Sequence, residues 1–348
     1  VADPPNLIWV MPAEERMKRS LILSVLMLAA CSSGTDAADV PDEVVLLTHD
    51  SFAMDTKVID EFEQQSGLQV TIVQNGDTGQ LVNSAILSAG NPQGDALFGV
   101  DTTFLSRAQQ TGVFSDYQAP GTPQQYAQPG VTPIDTGDVC LNYDTEYFKG
   151  KTPPSSPADL VKAEYKDLTV VQNPATSSPG LAFLMATTRT QPDWQQYWRD
   201  LKDNGVKVVD GWENAYYQQF SGGSGEGNRP IVVSYATSPA AEVMFAKNPD
   251  APAPTANVDS GCFQQVEFAG VLAGARNEAG AKQLVDFMLS RSFQDAVGEQ
   301  MFVYPVVEGA RVPKAFTEPP SDPVVMSPEE IAAGREEWID QWSQIMGQ

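Results

Sequence analysis

The sequence predicts an α/β fold in which a mainly parallel sheet, flanked by helices, occurs in each of two lobes. Three observations lead there. Strand-like runs alternate with helix-spaced apolar residues from residue 44 to residue 100, and the scheme returns less regularly between residues 168 and 233. Two short extended segments, 138–143 (DVCLNY) and 262–268 (CFQQVEF), stand about half a domain apart and read as crossovers between the lobes.

The elements follow in order. Val44-Val45-Leu46-Leu47 reads as a short buried strand, with the polar turn His49-Asp50-Ser51 after it. Val58, Ile59 and Phe62 then mark one side of a helix. Val70-Thr71-Ile72-Val73 is a second strand, ended by Asn75-Gly76-Asp77; Leu81, Val82, Ala85 and Ile86 have helical spacing, and Ala96 to Val100 is a third strand. In the second half, Leu168 to Val171, Val206 to Val209 and Ile231 to Val233 read as strands. Trp194, Tyr197, Trp198 and Leu201 fall on one face of a helix closed by Gly205, an aromatic stripe best read as core. Ser221 to Asn228 is a glycine-rich surface loop, and Leu284, Val285, Met288 and Leu289 mark a later helix. At the C-terminus Ser327, Pro328 and Glu330 spell a capping box, followed by Ile331, Trp338, Trp342 and Ile345 near one helix face.

Charge narrows the function classes. With 45 acidic and 21 basic residues the net charge is −24, which argues against nucleic acid, whose phosphates reward a positive surface. The acidity suits a small cationic ligand, or solubility alone. The single histidine, His49, and the lack of a Cys/His cluster at zinc spacing leave no metal site or cofactor to expect.

Residues 17–31, MKRSLILSVLMLAAC, carry a basic start and a short apolar run from Leu21 to Ala30, too short for a membrane-spanning helix of ~20 residues. These are the features of a secretory signal. Leu28-Ala29-Ala30-Cys31 resembles a lipobox, in which Cys31 is lipidated and begins the mature chain. The expected organisation is therefore a mis-started or non-native extension at 1–16, a lipoprotein signal peptide at 17–30 and a lipidated tether at 31–41. Residues 42–137 with 268–348 then form the first lobe, and 138–267 the second lobe with its hinge strands. The protein is expected to be exported and held to the outer face of the cytoplasmic membrane by its lipid alone. Cys140 and Cys262 remain, and in an oxidising compartment they are either bridged or a free buried pair.

Five segments resemble one family. They are T-H-D-S-F at 48–52, N-P-A-T-S-S-P-G at 173–180, G-W-E-N-A-Y at 211–216, S-Y-A-T-S-P-A at 234–240 and Q-V-E at 265–267. In this order, behind a lipoprotein leader, they resemble the thiamine-binding proteins of bacterial ABC importers, from about residue 44 to the C-terminus. The resemblance implies a two-lobed periplasmic-binding-protein fold of type II, with ligand held in the cleft between lobes joined by two crossover strands. It also implies a monomer that delivers thiamine or a thiamine phosphate to an ABC permease and its ATPase subunits. The implied ligand contacts are His49, Asp50, Asp77, Thr78, Ser177, Ser178, Trp212, Tyr216, Tyr235, Ala236, Thr237 and Ser238. The chain departs from the family's usual pattern in having His49 for a tyrosine, Thr78 for a glycine and Ala241 for a cleft aromatic, and its 221–230 loop is longer than in some relatives.

The residue types suit that ligand. Thiamine is a flat permanent cation, and an indole or phenol face gains ~0.5–2 kcal/mol against such a ring; Trp212 and Tyr235 are the candidates, with Tyr216 or Tyr217 behind them and Tyr217 read as structural. Asp50 and Asp77 follow predicted strands, where open α/β sheets present ligands, and each is open to a second reading as a helix cap or, for Asp50, as hinge packing. Thr176-Ser177-Ser178-Pro179-Gly180 and Thr237-Ser238-Pro239 place hydroxyls just before predicted helices, whose first N–H groups can bind phosphate. Two other classes stay open. A thiaminase-like enzyme of this fold would use Cys140 as nucleophile with Glu213 or Glu242 as base. A ferric-iron binder would use Tyr216 and Tyr217 with His49 and a carboxylate.

Overall fold

The computed structural model describes residues 42–248 and 251–348. The expected signal peptide, lipidated Cys31, tether and 1–16 extension lie outside the described residues. Strands β1 (Glu43–Thr48), β2 (Gln69–Gln74) and β3 (Ala96–Asp101) pair in parallel, and helices α1 (Thr56–Ser66) and α2 (Thr78–Leu87) carry the crossovers between them. Parallel neighbours need such a connection, because a tight hairpin reverses the chain. All six residues of β3 are buried, as a strand covered on both faces requires. β2 lies at the sheet edge and is largely exposed.

After α3 (Thr102–Gln110) the chain enters β4 (Thr132–Asp144). Next come β5 (Thr169–Gln172), α4 (Ser178–Thr190), α5 (Trp194–Asp203) and β6 (Lys207–Val209). A π-helical turn at Asn214–Gln219, β7 (Ile231–Tyr235) and α6 (Ser238–Phe245) lead into the 17-residue β8 (Thr255–Val271). The tail adds α7 (Glu278–Phe287), α8 (Arg291–Gln300), β9 (Tyr304–Pro305) and α9 (Pro328–Met346).

The strands form a continuous mixed sheet in the order β2-β1-β3-β8-β4-β7-β5-β6, with β9 on β4. The outer strands pair in parallel, and the antiparallel pairings all involve β4 or β8. Both segments read as crossovers from the sequence lie inside these two long strands. Their ladder is irregular at one place: Val139 faces Phe263, but Leu141 already faces Val258. β8 therefore bulges over residues 259–262, and such an irregularity bends a strand and frees it to turn. Cys140 and Cys262 are bonded at this point, with Cα atoms 4.4 Å apart, inside the range a disulfide spans.

α9 begins at the capping box read from the sequence, with Ser327 and Glu330 each satisfying the other's backbone N–H. It packs on α3, which follows β3, and on α5, which precedes the edge strand β6. Trp342 meets Trp198 edge to face at 5.7 Å, and the Arg335 guanidinium lies 4.6 Å from the centre of the Phe104 ring. Among the described residues no helix is long and apolar enough to cross a membrane.

Candidate functional site

The residues that follow the C-terminal ends of the parallel strands converge near the middle of the sheet. His49 and Asp50 follow β1, Asp77 follows β2 and Asp101 ends β3; from the other half come Ser177 and Ser178 after β5, Trp212 after β6, and Ala236 to Ser238 after β7. This is where open α/β sheets hold ligands, since strand ends leave backbone groups and loop side chains unpaired by the ladder.

Asp77 joins the two sets. It caps α2 with a capping box completed by Gln80, and its Oδ1 accepts from the Thr78 N–H at 2.6 Å. The same carboxylate reaches the other half, where Oδ1 accepts from the Ser178 N–H at 3.2 Å and Oδ2 from the Trp212 N–H at 2.9 Å. Asp77 is thus a helix cap and a bridge at once, and it occupies the first N–H of α4, one of the groups expected to meet a ligand phosphate. Beside it the Gly79 N–H donates to the Thr176 carbonyl at 3.0 Å. A Cβ on Gly79 would come within 2.6 Å of the Thr176 backbone, so this approach requires glycine. Burial pushes the Asp77 carboxyl up, and the N–H groups of Trp212 and Ser178 pull against that rise. Thr78 is buried at the start of α2.

Trp212 is held from several sides. Its indole Nε1 donates to Ser234 Oγ at 2.8 Å, and Ser234 Oγ lies 2.8 Å from Ser238 Oγ. Ser238 Oγ also accepts from the Tyr235 N–H at 3.2 Å. One indole face stacks on Tyr216, with centroids 5.1 Å apart and 19° between planes, while Tyr235 stands edge-on at 6.3 Å. Tyr216 is buried and donates its hydroxyl to Glu242 at 2.9 Å. Tyr217, read as structural, is 42% exposed and meets Trp212 edge-on at 5.5 Å. Ala236 packs on the Cys140–Cys262 pair, and its carbonyl accepts from Asn257 at 2.7 Å. Thr237 is the residue before α6, is buried, and makes no cap bond with its side chain.

Carboxylates lie close to these rings. His49 Nε2 is 3.2 Å from Glu267 Oε1, and its Nδ1 is 3.0 Å from Ser51 Oγ. Burial acts most strongly on the imidazole and lowers it, but Glu267, Asp77 and Asp50 together outweigh that and raise it. Asp50 is also pushed up by burial; it does not cap α1, whose cap is Asp55. Its N–H donates instead to the Gly76 carbonyl at 2.8 Å. Asp101, fully buried at the start of α3, accepts from Thr103 Oγ1 at 2.8 Å, and burial pushes it up to about 6. Asp138 is likewise pushed up to about 6 by burial. Asp135 stands well above the usual carboxylate range, through burial first and then through Glu267. Tyr235 is raised by burial and by Glu267, Asp77 and Asp101, which places its phenol near all three.

The candidate residues thus gather at one place, with differing duties. Asp77, Ser178, Trp212 and Tyr235 are linked in one cluster, through the Asp77 bonds to Ser178 and Trp212 and the edge-on contact of Trp212 with Tyr235. Ala236 packs on the disulfide, Ser238 meets Ser234 and the Tyr235 N–H, and Ser177 is fully buried. The residues that sequence reasoning missed are Asp101, Asp135, Ser234, Gln265 and Glu267. Asp101 carried the same signal as Asp50 and Asp77, an acid at the end of an apolar strand. Glu267 stood inside a recognised segment without a role, and Thr132-Pro133-Ile134-Asp135 gave no strand signal because of its proline.

The key groups of two rival chemistries are engaged elsewhere. Cys140 is bonded to Cys262, so it offers no thiolate for a thiaminase-like attack. The hydroxyl of Tyr216 is engaged by Glu242 in a buried site, so the adjacent tyrosines do not present a free pair of phenols.

Residues 95–327 match the family model of bacterial extracellular solute-binding proteins. The thiamine-binding periplasmic protein of Escherichia coli (strain K12) is 30% identical over 331 residues, covering 92% of this chain and 97% of its own. A solved periplasmic thiamin binding protein superposes with a TM-score of 0.77 at 27% identity, covering 88% of this chain and 96% of its own. Iron-bound HitA from Pseudomonas aeruginosa, at 18% identity and a TM-score of 0.67, covering 88% of this chain and 99% of its own, shares the fold.

Proposed function

The chain belongs to the bacterial extracellular solute-binding proteins, and on that premise we propose that it captures thiamine or a thiamine phosphate for an ABC importer. The observation that carries this reading is the pairing of half-buried aromatic rings, Trp212 and Tyr235, with carboxylates that have little else to neutralise them. A flat cationic ring gains from both: ring quadrupoles attract it, and the gain grows as water leaves. The relatives named for thiamine support the same ligand.

In the proposed cycle the two halves of the sheet open and close by turning at the irregular stretch of the β4–β8 ladder. Asp77 bonds across the gap to Ser178 and Trp212, which favours the closed state. The closed monomer docks on a membrane permease, whose paired ATPases supply the energy. Lipidation of Cys31 holds the protein at the outer face of the cytoplasmic membrane.

Calorimetry of the full-length protein with thiamine, its mono- and diphosphate, and ferric citrate tests the reading. Saturable binding of one of the thiamine forms is expected. Binding of ferric citrate alone, with the visible colour of tyrosinate-bound iron, would overturn it.

A further inference from the structure

Three carboxylates lie in one row across adjacent strands. Asp101 of β3 is directly opposite Glu267 of β8, and Glu267 is directly opposite Asp135 of β4. Residues paired in this way project from the same face of a sheet with Cβ atoms ~4.5–5.5 Å apart, and like charges so placed repel. Asp101 is fully buried, Asp135 is 1% exposed and Glu267 is 9% exposed. The hydroxyl of Thr103 serves both oxygens of Asp101, and His49 meets Glu267. Asp135 is less well provided: its Oδ2 has no hydrogen-bond partner, and its ionisable neighbour is Glu267. A buried acceptor without a donor is rare in folded proteins and calls for an occupant.

The surroundings say which occupant. From β7, Tyr235 feels Glu267 and Asp101, and Asp77 adds a further negative charge from the start of α2. Asp50 lies beyond His49. On the other side Arg335 of α9 faces Asp101, but it is tied to Glu336 and the Phe104 ring. His49 and Arg335 are the basic groups set against five carboxylates. Two acids pressed together out of water cannot both ionise, so such a pair shares a proton until a cation replaces it.

We propose that the Asp101–Glu267–Asp135 row is the counter-charge for the ligand's cationic ring, and that it releases its shared proton to solvent when that cation enters. This rests on the thiamine reading above. It assigns ligand selectivity to three residues on neighbouring strands and makes affinity rise with pH, because a proton competes with the cation for one place.

Calorimetry with thiamine between about pH 6 and pH 8, in two buffers of different ionisation enthalpy, reads the protons released. Release approaching about one proton per ligand is expected near the lower limit, with affinity rising by up to about tenfold per pH unit there. Glu267→Gln and Asp135→Asn should each suppress the release and flatten the profile, and the second serves if the first fails to fold. His49→Gln, whose affinity is free to change, removes the imidazole in contact with Glu267 as a proton source, and the release per bound thiamine should persist. Thiamine binding without proton release and with pH-independent affinity overturns the proposal while leaving the thiamine reading intact. So does release that survives both carboxamide variants or disappears in His49→Gln. No thiamine binding by the native protein at any pH removes both readings.

Discussion

The aromatic wall from one half of the sheet and the carboxylate floor beneath it handle buried polar atoms in opposite ways. On the wall, the Trp212 indole N–H has Ser234, its backbone N–H has Asp77, and one face of its ring rests on Tyr216. Each polar atom named there has a neutral or oppositely charged partner, and the ring is held before ligand arrives. On the floor, Asp101, Glu267 and Asp135 face one another, and Oδ2 of Asp135 has no partner. The difference teaches that shape and charge are supplied separately: the wall is preorganised, while the floor is left dissatisfied until a cation completes it.

The largest expected effect breaks the wall's foundation. Cys140 and Cys262 lie 122 residues apart in sequence beneath Ala236, so their bond closes a long loop. Replacing both by serine should lower stability by roughly 3 kcal/mol in urea denaturation under non-reducing conditions. Thiamine affinity of the folded variant should stay within about threefold of native. A larger loss of affinity would mean the bond shapes the wall as well as anchoring it.

Trp212→Ala removes the ring itself. Its loss should weaken thiamine binding by ~2 kcal/mol, about thirtyfold, with Trp212→Phe retaining part of the difference. Unchanged affinity in calorimetry would take Trp212 out of the site.

Asp77 belongs to both regions, so Asp77→Asn sharpens the contrast. The amide keeps the size but lowers the negative charge beside the first N–H of α4. The ratio of thiamine to thiamine diphosphate affinities should fall by about tenfold, or ~1.4 kcal/mol. A ratio that does not move would place the phosphate elsewhere.

The smallest effect is on the stability of the empty protein with pH. Asp101 and Asp138 stand at about 6 in the folded chain, against ~3.9 for a free aspartate. A raised carboxyl contributes stability that is full below the unfolded value and lost as pH rises through the folded one. Melting temperature should therefore increase as pH is lowered from about 7.5 to 5. The net charge of −24 adds to this, because protonation relieves self-repulsion. Below about pH 4 the trend should reverse, since Asp159, held at about 2 by Lys162 and Ser155, begins to lose its charge. A melting temperature that falls between pH 7.5 and 5 would contradict the picture of a strained floor.

Much of the architecture was legible in local pattern. The βαβα alternation from β1 to β3, the aromatic face of α5 and the capping box of α9 follow from period and from caps, which depend on residues a few positions apart. Part of the candidate cluster was legible at strand ends, where Asp77 reads as a helix cap or a ligand group and Trp212 as a ring beside it. It was not legible where the duty comes from distant neighbours. Ser178 reads as a hydroxyl before a helix, as cap or as ligand group, and no local pattern shows that Asp77, 101 residues away, holds its N–H. Glu267 reads as one acid among many until β3 and β4 set Asp101 and Asp135 on either side of it.

By itself, then, the order of residues determined the alternation of strands and helices, the acidic balance and the rings suited to a flat cation. Only the tertiary structure decided that β4 and β8 run side by side through one sheet, that Cys140 meets Cys262, and that three carboxylates share a row. The reason is range. Propensity and periodicity act over a turn or a strand, whereas pairing register sets which side chains from remote segments share a face, and with it which charges must bear one another's company.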